Sequence, residues 1–216
     1  GDTPYEELLR DTAVHVICMV NPDGISISQL GLDGVQTDAV RENLSQIAQL
    51  DGASLADSTY LKRWKANANG VDLNRNFDAL WDSYADRAGH PSSDHYKGTA
   101  PGCEIESAAL IQLTLQQQFT RTISYHTQGD VIYWYFGQEG DLYDQTLSFA
   151  NTIAATTGYP LDADYQSLDP AGYKDWAIQK QGIPSLTIEV GLQDSPVPAE
   201  QFATIWAENQ FVWEET

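Results

Sequence analysis

The sequence predicts an α/β protein of three layers, with helices on both faces of a mixed sheet. Three observations carry this expectation. Apolar runs of strand length alternate along the chain with longer segments of helical period. The first run, VHVICMV at Val14–Val20, is apolar enough for a strand buried on both faces. The two best helices, Ile105–Phe119 and Leu142–Thr157, are interleaved with later candidate strands. At 216 residues the chain is long enough for one large domain with its own core, expected over residues 1–216.

A first helix is expected over Tyr5–Arg10, entered through Thr3-Pro4, where proline suits the first helical position. Val14–Val20 then ends at Asn21-Pro22-Asp23-Gly24, which reads as a turn. Asp38–Leu50 follows as a helix. Lys62–Phe77 reads as irregular, with Asn and Gly throughout. In Ile105–Phe119 the residues Ile105, Ala108, Ala109, Leu113 and Leu115 approximate a helical apolar face. Thr122–His126 and Val131–Phe136 read as two strands joined by a short Gln128-Gly129-Asp130 turn. Leu142–Thr157 stops at Gly158, with Pro160 beyond. Tyr173–Gln181 is a short helix stopped by Gly182. Ser185–Val190 is a strand ending in Gly191, and Glu200–Trp213 closes the chain as an amphipathic helix.

Composition narrows the function classes. Eleven Lys+Arg against 31 Asp+Glu give a formal charge of −20. That sign disfavours nucleic acid and anionic membrane surfaces, so neither is an expected partner. No apolar run reaches bilayer-spanning length. The opening GDTPYEELLR lacks the basic start and apolar core of a signal peptide. Two cysteines make no disulfide framework, and Cys18, inside an apolar run, reads as a buried small hydrophobe. The six tryptophans are scattered and read mostly as packing residues.

Four places are candidates for chemistry. In GVDLNRNF at Gly70–Phe77, Asn74 and Arg75 stand side by side in a turn-rich segment. A guanidinium is a rigid two-pronged donor that matches a carboxylate, and a neighbouring amide adds another donor. His126 ends a strand, and Glu189 lies in the strand TIEV near its end at Gly191. Ligands of α/β sheets bind at the carboxyl ends of strands. A Glu in an apolar strand is expensive unless it has a partner or a task. His90, Asp94 and His95 cluster in AGHPSSDHYKG, which reads as a surface loop before it reads as a metal site. Glu104 and Glu106 suit the positive end of the following helix better than a catalytic pair.

Five segments appear together in order: NPDG at Asn21–Gly24, RWKANANGVDLNRNF at Arg63–Phe77, YHTQGDVIYW at Tyr125–Trp134, AGYKDW at Ala171–Trp176 and TIEVG at Thr187–Gly191. With them the chain resembles the zinc carboxypeptidases of the carboxypeptidase A type. Within these it is most similar to the bacterial branch of γ-D-glutamyl-diaminopimelate peptidases. The resemblance implies the phosphorylase/hydrolase-like fold of zinc exopeptidases. It implies zinc as cofactor and a peptide bearing a free carboxylate, from peptidoglycan, as substrate. It implies that His126 is the third zinc ligand and that Glu189 is the base working with zinc-bound water. It implies that Asn74 and Arg75 bind the substrate's carboxylate. Lys65 falls where the family carries an oxyanion-stabilising Arg. Tyr165 and Tyr173 are both candidates for the family's mobile tyrosine. The compartment stays open between bacterial cytoplasm and cell envelope.

The chain departs from that pattern at its start. The family's His-x-x-Glu pair of zinc ligands precedes the NPDG segment, and none of the four histidines here has Glu three residues on. The reading is therefore of an N-terminally incomplete domain, with the first strands missing and zinc binding in doubt. Such a gap leaves unpaired backbone and an apolar patch. Either the remaining strands rearrange, or a second copy of the chain or a separate N-terminal fragment is expected to fill the gap. The chain is then either a piece of a metallopeptidase, inactive alone, or a non-catalytic relative that binds carboxylates or peptides.

Overall fold

The computed structural model describes residues 6, 9–166, 169–193 and 195–215. Among these are four strands, β1 Thr122–His126, β2 Val131–Tyr133, β3 Leu161–Asp162 and β4 Ser185–Glu189. The helices are α1 Pro22–Leu30, α2 Asp38–Leu50, α3 Ser58–Lys62, α4 Ile105–Gln117, α5 Gly140–Thr157, α6 Tyr173–Gln181 and α7 Phe202–Asn209. None of the described helices is long and apolar enough to cross a membrane.

The sheet is mixed, in the order β1-β4-β2-β3. β4 runs parallel to β1 and antiparallel to β2, while β2 and β3 are parallel. β4 is central because both its faces are buried, with Leu186 and Ile188 fully so. Strand alternation sorts its side chains. Leu186 and Ile188 join Ile132 on one face, where Phe149, Ala150 and Ile153 of α5 cover them. Each of these Leu, Ile and Phe side chains contributes about 1.5–3 kcal/mol by leaving water. Ser185, Thr187 and Glu189 point to the other face, together with their register partners Thr122, Ser124 and His126. That face lies under α6, whose Tyr173, Trp176 and Ala177 form a second core with Phe77 and Phe136. Leu110 and Ile111 of α4 pack against the same core. A third core, Ile27, Leu44, Ile47, Leu61 and Trp64, joins α1, α2 and α3.

Several expectations change. The helix expected over Tyr5–Arg10, with its Thr3-Pro4 entry, falls largely outside the described residues. Residues 14–20 form no strand and lie exposed, Val16 at 76%. Cys18 is exposed rather than buried. An apolar run becomes a strand only against a ladder partner, and none of the described strands pairs with this one. Asn21-Pro22-Asp23-Gly24 is a helix start rather than a turn: Asn21 Oδ1 accepts from Gly24 N at 2.9 Å, and Pro22 opens α1.

β1 and β2 are not a hairpin, because β4 lies between them. The connecting turn instead ties to the end of β4, through Gly129 N to Gly191 O at 2.7 Å and Gly191 N to Asp130 Oδ1 at 2.6 Å. β2 stops at Tyr133, three residues short of Phe136. On α4 the expected apolar face is largely in water: Ile105 is 81% exposed and Leu115 56%. The closing helix is shorter than expected, α7 flanked by 3-10 turns. Trp64, Trp134 and Trp176 are buried, whereas Trp206 is exposed.

Candidate functional site

The site forms where β1 and β4 end. In their parallel register His126 pairs with Glu189, which places both side chains on one face at the carboxyl ends of neighbouring strands. The register is locked beyond the strands by Val190 N donating to His126 O at 2.9 Å. Burial and the nearby Lys65 charge hold His126 down at about 4, so its imidazole is neutral at neutral pH. Burial pushes Glu189 up to about 7, against the pull of Lys65 and Arg75. Its Oε2 is buried without a hydrogen-bond partner. The charges of Lys65 and Arg75 act on both His126 and Glu189.

The segment that carries the cations has little regular structure, and side-chain amides hold it in place. Asn21 Nδ2 donates to Lys65 O at 3.1 Å and Ala66 O at 3.0 Å. The Lys65 and Ala66 amides both donate to Ser93 O at 3.0 Å. Buried Asn67 accepts from Val71 N at 3.1 Å and donates to Glu104 Oε2 at 2.7 Å. Glu106 also accepts from Asn67, so both carboxylates serve this loop.

Asp72 joins the two halves of the cationic wall. It is 1% exposed; its Oδ2 lies 2.9 Å from Lys65 Nζ, and its Oδ1 accepts from Asn74 N at 3.1 Å. The second bond caps the 3-10 turn Leu73–Arg75. Asp94 lies 3.3 Å from Lys65 Nζ on its other side. Burial works against the Lys65 ammonium, but Asp72 and Asp94 outweigh it and its pKa rises. Burial likewise opposes the Asp72 carboxylate, yet Lys65 and Arg75 hold it below the usual range.

The start of α6 completes the wall. Asn74 Oδ1 accepts from Tyr173 N at 3.3 Å, which leaves the amide nitrogen as the end that can donate to a ligand. Gly172 permits this contact, since a Cβ there would stand 2.6 Å from Asn74 Oδ1. The Arg75 guanidinium lies over the Tyr84 ring, 5.7 Å from its centroid. The two tyrosine candidates separate. Tyr173 has its ring in the core and its hydroxyl 2.9 Å from Thr114 Oγ1. Tyr165 is half-buried and packs edge-on against Tyr135 and Phe136.

The donor set does not make a zinc site. Zinc takes three protein ligands in catalytic centres and four in structural ones. Among the described residues no group of three His, Cys, Asp or Glu includes His126. The one such group among the described residues, with ligand atoms within 4.8 Å of each other, is Asp72, Asp94 and His95. There the Lys65 ammonium already lies on both carboxylates, and Asp94 also lies 3.3 Å from His95 Nε2. His90 is not part of that group and approaches Asp51 instead, at 3.9 Å.

The sequence profile of the zinc carboxypeptidases matches residues 1–212. The chain belongs to this family. Its relatives include gamma-D-glutamyl-L-diamino acid endopeptidase 1 of Lysinibacillus sphaericus, 34% identical over 202 residues, which cover 93% of this chain and 48% of the relative. They also include the uncharacterized protein YqgT of Bacillus subtilis (strain 168), 30% identical over 217 residues, 99% of this chain and 54% of that protein. The chain thus spans about half the length of these relatives. Among solved structures, carboxypeptidase A from Helicoverpa armigera superposes with a TM-score of 0.56 at 18% identity, over 90% of this chain and 55% of that one. Thrombin activatable fibrinolysis inhibitor does so with a TM-score of 0.56 at 22% identity, over 67% of this chain and 40% of that one. The zinc-carboxypeptidase chain therefore has the expected carboxypeptidase-like α/β fold.

Sequence reasoning missed Asp72, the buried carboxylate on which Lys65 and the Asn74–Arg75 turn both depend. Its signal was present: an Asp two residues before an Asn in a turn is a capping pattern. Its burial was not legible.

Proposed function

We propose that this chain supplies the substrate-recognition and proton-transfer half of a metallopeptidase acting beside a free carboxylate. The observation that carries the proposal is the pairing of His126 with Glu189 at the ends of β1 and β4, with the charges of Lys65 and Arg75 acting on both. Arg75 and the Asn74 amide bind the terminal carboxylate of a peptide. Lys65 stabilises the developing oxyanion as a point charge. Glu189, with a pKa of about 7, takes a proton from water and returns one to the leaving amine. Tyr165 borders the substrate, and Tyr173 positions Asn74 through its backbone amide. The likeness to a gamma-D-glutamyl-L-diamino acid endopeptidase supports peptidoglycan-derived peptides as the substrate class. His126 offers one neutral imidazole to zinc. The described residues provide no second or third ligand beside it, so the chain by itself is expected to be inactive.

The clamp is tested by titrating the chain with a γ-D-glutamyl-diaminopimelate peptide and with its amidated form. Arg75→Ala is expected to weaken the free carboxylate at least 10-fold, in line with loss of a bidentate charged contact. The amide should change little. Equal losses for both ligands would remove Arg75 from the carboxylate role. A second reading, a binding protein without catalysis, uses the same clamp and is favoured by the lack of a three-ligand site around His126 among the described residues.

A further inference from the structure

We propose that Asp169 is a resident stand-in for the substrate's carboxylate at Arg75, and that Arg87, which already holds it, keeps it when substrate arrives. The inference rests on the reading of Arg75 as the carboxylate clamp.

The guanidinium of Arg75 is unevenly used. Nη1 donates to Asn74 O at 2.6 Å. Nε is buried and has no hydrogen-bond partner. Nη2 lies 3.8 Å from Asp169 Oδ2, within ion-pair range and beyond hydrogen-bond length. The open edge is therefore Nε with Nη2, the side-on fork that a carboxylate meets with two parallel bonds. Asp169, between β3 and α6, already places an anion at that edge without closing on it.

The close bonds of Asp169 go elsewhere. Arg87 Nη2 lies 2.9 Å from its Oδ1 and 2.7 Å from its Oδ2. Arg87 is the outer cation, with its side chain 59% exposed, while that of Asp169 is 20% and that of Arg75 13% exposed. Asp169 can thus give up Arg75 without becoming an unpaired charge, because Arg87 keeps it. While Asp169 stays beside Arg75, an incoming carboxylate meets a like charge next to the fork it needs. Affinity for a free carboxylate is then set by an exchange between two anions on one arginine.

The test uses the full chain, a γ-D-glutamyl-diaminopimelate peptide with free carboxylates, and its amidated form, read by titration calorimetry. Asp169→Asn is expected to tighten the free carboxylate about 5-fold or more, as removal of a nearby like charge does in a partly exposed site. Arg87→Ala should weaken it, since Asp169 then has only Arg75 to pair with. Asp169→Asn combined with Arg87→Ala should behave as Asp169→Asn alone. The amidated peptide should not respond to any of the three. Unchanged or weaker binding by Asp169→Asn, with Arg75→Ala still losing the carboxylate, overturns the stand-in and leaves the clamp intact. If Arg75→Ala changes nothing, the clamp reading itself fails.

Discussion

Glu189 carries a buried carboxylate oxygen without a partner, and its ordinary pKa of 4.5 rises to about 7. The folded chain therefore holds this proton more tightly than the unfolded chain does. Below pH 4.5 both states are protonated and ionisation costs nothing. Between pH 4.5 and 7 the unfolded state ionises first, so stability falls as pH rises. Above pH 7 the full penalty stays, roughly 3 kcal/mol at most. Glu189→Gln should thus stabilise the chain by about 2–3 kcal/mol at pH 8 and by almost nothing at pH 4.5. Urea unfolding at the two values checks this, and an equal gain at both would show that burial of the charge is not the cause. His126 has the opposite sign, losing stability as pH falls from 6.5 toward 4, and it affects both proteins alike. At this scale the sequence was informative about Glu189, because a Glu in an apolar strand stands out. It carried the capping pattern of Asp72 but not its burial, and it was silent on Asp169, whose partners Arg75 and Arg87 lie far away along the chain.

The elements show where local signals suffice. α2, α5, α6, β1 and β4 lie where periodicity and stop residues place them, to within a few residues at the ends. The errors have one origin. Residues 14–20 and the outer face of α4 were judged by composition and period, but each depended on which neighbour was available. Asn21 is the instructive case, since turn chemistry and helix-cap chemistry use the same residues. Its side chain caps α1 and also holds the backbone of Lys65 and Ala66. Asn21→Ala should cost about 2 kcal/mol by chemical denaturation, one cap plus two bonds, one exposed and one partly buried, in part compensated by water. A loss below about 0.5 kcal/mol would mean that water replaces these bonds freely.

For the whole molecule the decisive quantity is the number of zinc ligands brought together. Incubated with zinc and then desalted, the chain is expected to retain well under one equivalent and to leave a γ-D-glutamyl-diaminopimelate peptide intact. Hydrolysis that disappears on chelation would overturn this. The sequence by itself determined the family, the carboxypeptidase-like α/β class, and the residue types available for a clamp, a base and one imidazole. Those follow from local chemistry: apolar period, caps, and motifs whose order survives in one dimension. The tertiary structure decided what those residues do to each other. Parallel pairing of β1 with β4 set His126 beside Glu189, and burial of Asp72 tied Lys65 to Asn74. The ion pairs of Asp169 with Arg75 and Arg87 likewise join parts of the chain far apart in sequence. Register, desolvation and charge proximity act across space, and a string of residues does not carry those distances.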